Sequence, residues 1–299
     1  MTATTRTSQE NPVLAALGLV IRNAGFYLLL LTIAFIDLFP FIWILLSSFK
    51  TQLEIFRWPP TFFPENFVWD NYADALALLP AGQQPVSDIP YGLTNSVVIS
   101  LISTVLILVL GALAGYAFGR LRFPGRRVLL ISLMMLRMLP GIVLSVPLFI
   151  LATRVNLFDT RAVLVITYTA FNLPFAVWLL SVFFQEIPRE LEDAALVDGC
   201  TRASVLPRIY LPLSLPALAT IAILSFLATW NEFLFAVTLT SSKTAKTTPV
   251  ALASMQAAFQ TRWAVMTAGA VLASVPVLLL LFFAQRYIVR GLTFGAVKG

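Results

Sequence analysis

Few side chains in this protein could do chemistry. It has no histidine, and its one cysteine is Cys200, so a Cys/His zinc site, a His-ligated haem, a structural disulfide and a histidine-based triad are excluded within the chain. Asp37, Arg137 and Glu232 interrupt long apolar stretches, where a charge costs about 2.5 to 3.5 kcal/mol at mid-bilayer before any pairing. Glu190, Glu192, Asp193 and Asp198 lie instead in a polar strip, 186–199, that ends in Gly199. Charges inside apolar spans suit passage of an ion or solute. A polar strip between spans suits a grip for a soluble partner.

The elements that must hold these groups follow from composition. With 59% hydrophobic residues, 11% charged residues and a mean hydropathy of +0.88, the chain is too apolar for a soluble domain, where about 25% is charged. Its charges fall in clusters between long uncharged runs, which predicts an all-α polytopic membrane protein. Six stretches are long enough to cross a hydrocarbon layer of about 30 Å: 24–47, 93–118, 128–151, 162–184, 211–237 and 263–284. The apolar run after the polar first 20 or so residues is too long for a signal-peptide core and lacks a small-residue cleavage site, so it is expected to stay as an anchor. The expected division is a cytoplasmic tail over 1–23, a transmembrane domain over 24–290 and a cytoplasmic tail over 291–299.

Twelve lysines and arginines fall on the N-terminal side of the membrane and seven on the other, which predicts both termini inside. The turn with Arg120, Arg122, Arg126 and Arg127 carries most of this signal and is expected to meet anionic lipid headgroups. The net charge of +6 thus serves orientation and does not point to nucleic acid. External loops are expected over 49–91 and 238–262, the first rich in aromatics and prolines suited to the headgroup level. The polar strip then lies in a cytoplasmic loop, 185–210. Pro188 suits a first helical turn, the acids follow where the helix dipole favours them, Ala194 and Ala195 keep a face low, and Gly199 permits a sharp exit.

Asp193-Ala194-Ala195, then Gly199, then Ile209, Leu211 and Pro212 resemble the cytoplasmic signature of ABC importer permeases, Glu-Ala-Ala, three residues, Gly, nine residues, Ile-x-Leu-Pro, with Asp193 for the usual Glu. Arg122-Phe123-Pro124-Gly125, Leu139-Pro140, Trp230-Asn231-Glu232-Phe233, Pro249-Val250 and the segment 291–299 are similar to the carbohydrate branch, in particular the second permease of maltose-type systems. The resemblance implies a type I importer permease in a bacterial or archaeal plasma membrane. It also implies a second homologous permease as partner, two ATP-binding subunits and an external sugar-binding protein. No Gly-x-x-x-x-Gly-Lys-Ser/Thr loop is present, so no cofactor is expected in this chain, and ATP with Mg belongs on the partner ATPase. No metal site and no catalytic residue are expected.

The coupling set is then Glu190, Glu192, Asp193, Ala194, Ala195, Asp198, Gly199, Ile209, Leu211 and Pro212. Trp230, Asn231 and Glu232, with Pro140, are candidates for the substrate path, since sugar recognition combines an aromatic face with polar groups. The competing role for Trp230 is an interfacial anchor, and for Asn231 an interhelical hydrogen bond. At about 1.5 Å per residue, Asp37 lies roughly 20 Å and Arg137 roughly 14 Å from the cytoplasmic ends, which predicts a structural pair between them or neutralisation of Arg137 by a partner subunit. Gly111, Gly115 and Gly119 form a packing stripe. Pro140, Pro147 and Pro174 are expected to kink their helices. Two alternatives stay open: an ion-gradient transporter using Asp37 and Glu232, and a membrane scaffold.

Overall fold

A computed structural model of the chain describes residues 12–78, 87–256 and 261–293. The terminal segments 1–11 and 294–299, and with them part of both expected tails, lie outside the described residues. The described residues are helical with no strand: α1 Pro12–Ser47, α2 Gln52–Ile55, α3 Asp70–Ala75, α4 Ile89–Arg120, α5 Arg126–Arg137, α6 Gly141–Arg154, α7 Arg161–Glu186, α8 Arg189–Val197, α9 Arg202–Val205, α10 Leu211–Leu213, α11 Leu215–Trp230, α12 Leu234–Leu239, α13 Thr248–Ser254 and α14 Trp263–Thr293. Helix α1 begins at Pro12, earlier than the span predicted from 24. Four helices, α1 from Ala24, α4, α7 and α14 to Gln285, are long and apolar enough to cross a membrane, and two bent pairs bring the number to six.

The third span bends at the proline expected to kink it, far more sharply than a kink, and the fifth span, read as one stretch, is bent and broken. Between α5 and α6 the axis turns by 93°. Leu139 precedes a proline, which disfavours the α region for it, and Pro140, with ψ 127° and no N–H, opens the new helix as its N-cap. The fifth span starts with a π-turn, Leu206–Tyr210, then bends by 80° between 203–213 and α11, where Ser214 leaves helical geometry between Pro212 and Pro216. It breaks again after Trp230 and restarts at Leu234.

Helices α4 and α7 make the most extensive contact in the bundle. The glycine stripe is the reason they approach closely. A Cβ on Gly111 would lie 3.1 Å from Ala176 Cβ, and one on Gly119 would lie 3.0 Å from the Ser181 carbonyl. One core cluster joins Ile107, Tyr116, Leu180, Phe184, Val205 and Tyr210, and a second, at the far end, joins Ile99, Leu164, Tyr168, Phe235 and Leu239. Helix α1 lies along α14, and its apolar stretch is unburied within this chain.

Side-chain hydrogen bonds fasten the loop after α12 to the bundle. Asn95 of α4 donates to the carbonyls of Lys243 and Lys246 and accepts from Arg161, while Ser96 accepts from the Thr248 amide. Asp159 accepts from the amides of Ser241 (2.9 Å) and Ser242 (3.0 Å). Burial alone would raise the Asp159 carboxyl, but the bonds from Ser241 and Ser242 and the nearby Lys246 outweigh it and hold the group below its ordinary value. A depressed carboxyl stabilises the folded loop above its unfolded value, about 3.9, and loses that contribution only as pH falls through the lower folded value. Asp159→Ala should therefore speed hydrogen exchange of the Ser241 and Ser242 amides at pH 7 by about tenfold, the scale of hydrogen bonds to a charged acceptor; wild-type protection should persist to about pH 4.

Candidate functional site

Helix α8 occupies the polar strip. Pro188, extended at φ −54° and ψ 137°, stands at its N-cap, and Glu190 and Glu192 lie in the first turn, where the helix dipole stabilises carboxylates. At the other end Gly199 takes φ +87°. The Cys200 amide reaches back to the Ala195 carbonyl and the Gly199 amide to that of Leu196, the paired 6→1 and 5→2 closure of a Schellman motif. A left-handed residue is required there, so the sequence supplies glycine.

The helix has two faces. Glu190, Leu191, Asp193, Ala194, Val197, Asp198 and Gly199 are exposed, with Val197 at 88%. Ala195 and Leu196 turn inward with Cys200 onto the core around Tyr210. Of the two alanines expected on the partner face, only Ala194 is there. Ile209 and Leu211 pack onto that same core, and Pro212 is exposed.

Glu192 is the polar contact of the inward face. Its carboxylate accepts from Tyr210 Oη at 2.7 Å, Tyr116 Oη at 3.2 Å and Arg120 Nε at 3.2 Å. Arg120 also donates to the Ile187 carbonyl at 3.1 Å and lies over the Tyr210 ring. Burial opposes ionisation of Glu192, yet the bonds from Tyr210, Arg120 and Tyr116 and the charge of Arg120 together lower its pKa. A hydrogen bond to a charged group of this kind contributes about 1.5–3 kcal/mol. The arginine expected at the lipid headgroups is thus buried, its side chain 3% exposed. Arg122 and Arg127 are exposed, and Arg126 donates to the Leu121 and Gly119 carbonyls. Tyr116 and Tyr210 carried no polar sequence signal. The spacing of Tyr116 and Arg120, one turn apart on α4, was the available hint.

The broken spans assemble a second region. Glu232 is not free: its two carboxylate oxygens accept from the Phe235 amide at 2.8 Å and the Ala236 amide at 3.1 Å, capping the restarted α12. Trp230 is 3% exposed and stacks on Phe226, so it is a packed core residue. Asn231 is exposed, its amide donating to the Leu227 carbonyl. Next to Pro140, a Cβ on Gly141 would meet the Phe235 ring at 3.2 Å, so the break after α5 and the break after α11 lie side by side.

Arg137 and Asp37 are not brought together. No ion pair joins them among the described residues; Asp37 is exposed on α1, and the Arg137 guanidinium lies 4.7 Å from the Phe175 ring centroid. The depth count assumed straight spans, and the 93° bend removes that premise. Arg137 also borders an apolar cavity of about 340 Å³ with Leu136, Leu139, Phe171 and Pro174. A cation–π contact at an exposed site contributes about 0.5–1 kcal/mol, so Arg137→Gln should lower the unfolding free energy of the purified chain by no more than about 1 kcal/mol. Thermal melting in detergent measures this, and a loss several times larger would reveal an ion pair.

The fold and the site define a class: a multi-pass helical membrane protein with a short exposed helix clamped to the end of its bundle. The profile of the family described as "Binding-protein-dependent transport system inner membrane component" matches residues 107–294, and this chain belongs to that family. It is 44% identical over 209 residues to the trehalose transport system permease protein SugB of Mycobacterium tuberculosis, covering 69% of this chain and 76% of that one. It is 36% identical to the inner membrane ABC transporter permease protein YcjP of Escherichia coli, covering 93% and 98%. The trehalose/maltose permease protein MalG of Thermococcus litoralis is 35% identical, with 89% and 93% covered. The fold matches a chain of a bacterial ABC transporter that imports the polysaccharide alginate, with TM-score 0.73, 21% identity, and 96% and 99% coverage.

Proposed function

We propose that this chain is the permease subunit of an ATP-binding-cassette importer that carries a carbohydrate delivered by an external solute-binding protein. The observation that carries the reading is the exposed face of α8, Glu190 to Gly199, held rigidly by Glu192 and ending in a left-handed glycine. A partner ATPase supplies the energy and holds ATP and Mg, and a second, homologous permease completes the pathway. Two ATP-binding subunits grip the paired permeases from the cytoplasm, and their closure shifts the spans between two states of access. Relatives named for trehalose, for trehalose and maltose, and for sulfoquinovosyl glycerol support a sugar as cargo. The ion-gradient alternative loses one of its two carboxylates, because Glu232 is committed to two backbone amides.

The test is uptake of labelled trehalose and maltose by vesicles carrying the chain with the subunits encoded beside it. ATP-dependent accumulation that survives an ionophore is the expected result. Uptake that collapses with the ionophore and needs no ATPase would overturn the reading.

A further inference from the structure

Among the described residues, the side-chain hydrogen bonds of α8 to the bundle run through one carboxylate. Glu192 receives Tyr116 and Arg120 from the last turns of α4 and Tyr210 from the π-turn that opens the fifth span. The two tyrosine rings meet edge to face at 5.1 Å, Phe184 of α7 closes on Tyr210 at 5.5 Å, and Arg120 ties the same point to the Ile187 carbonyl just before α8. Ala195 and Leu196 add apolar contacts, and just past the helix Cys200 Sγ accepts from Arg208 at 3.6 Å, a weak sulfur contact. Apolar contacts are non-directional and permit sliding, whereas charge-assisted hydrogen bonds fix direction. From this we infer that Glu192, Arg120, Tyr116 and Tyr210 form a joint that obliges the second and fifth spans to follow any displacement of α8. Glu192 is a positioning residue in this sense: it touches no cargo and acts through the two spans it binds.

The π-turn is part of the device. Its i→i−5 bond, from the Leu211 amide to the Leu206 carbonyl, widens the backbone by one residue and leaves Tyr210 fully buried beside the carboxylate. A regular helical turn there would rotate the following residues by about 100° and remove the hydroxyl from the joint.

This inference rests on the permease reading, and its test separates the two. In the assembled transporter, with Cys200→Ser as background and Asn231→Cys as reporter, labelling by a membrane-impermeant maleimide is measured with and without ATP and vanadate. The wild-type joint should give a nucleotide-dependent change in labelling rate. Tyr210→Phe, which removes one hydroxyl and keeps the ring, should shrink that change by about fivefold, the factor one net hydrogen bond supplies, and Glu192→Gln should shrink it further. A purely structural role would lower the amount of assembled complex and leave the ratio per complex unmoved. If the wild-type joint shows no nucleotide-dependent labelling, the permease reading falls and takes the joint with it. If it does, and Tyr210→Phe keeps the full ratio or only loses assembly, the joint alone falls.

Discussion

Gly199→Trp is expected to abolish ATP-driven uptake, by at least about tenfold, while the chain still inserts and folds. Gly199 has φ +87°, and a Cβ built on it meets nothing within 4 Å, so a side chain starts there into open space on the exposed face. The internal cost is therefore limited to the left-handed backbone, about 1–2 kcal/mol for an L-residue, and to loosening of the Schellman closure between Cys200 and Ala195. The external cost is larger. Gly199 follows Val197 and Asp198 on the exposed face, and a bulky ring there stands where an ATPase subunit has to approach. Gly199→Ala separates the two contributions, because it bears nearly the same backbone strain and little bulk. Uptake should fall about fivefold or less for alanine, the lower end of the backbone cost. Transport assays on vesicles, with co-purification of the ATPase as a second readout, measure both. A tryptophan variant that transports at the wild-type rate would show that this face of α8 meets no partner.

The contrast between α8 and the rest of the site shows what a sequence discloses. Helix α8 was legible because its signals are local: Pro188 before it, acids in its first turn, and a glycine at the position where only a left-handed residue closes the helix. The stripe of Gly111, Gly115 and Gly119 was legible for the same reason, since a period of four marks one helix face. Arg120 was misread because a cluster of four arginines beside a span carries a topological meaning of its own, and its partner Glu192 is 72 residues away. Tyr210 depends on a π-turn, which has no distinct sequence code. The proline at 140 was visible but its bend angle was not, and without the angle the depths of Asp37 and Arg137 could not be compared. Glu232 was read as a candidate for cargo contact, although an acid three and four residues before two free helical amides is also a cap. The choice between these roles needed the break after Trp230, which the length of the mostly apolar stretch 211–237 conceals.

The second large effect lies at the α4–α7 contact. Gly115→Val is expected to prevent stable folding of the bundle. A Cβ at this position would stand 2.7 Å from Leu180 Cβ and 3.3 Å from the Ser181 amide nitrogen. Both atoms belong to the rigid part of α7, so no rotamer change relieves the clash, and the helices have to separate. Leu180 is fully buried between Ile107, Tyr116 and Phe184, and separation opens that cluster as well. Overpacking usually costs about 1–3 kcal/mol, and in lipid no hydrophobic gain between helices compensates, because association depends on close packing. Separation of α4 from α7 also pulls Tyr116 and Arg120 away from Glu192, so α8 loses its anchor in the same event. The expected result is a fall of at least about 2 kcal/mol in unfolding free energy, read as a lower melting temperature and a reduced monodisperse fraction after detergent extraction. Gly25→Val is the matched control, since a Cβ on Gly25 has nothing within 4 Å. Equal loss in both variants would mean that valine disturbs insertion generally, and wild-type melting of Gly115→Val would mean that α4 and α7 do not touch along this stripe.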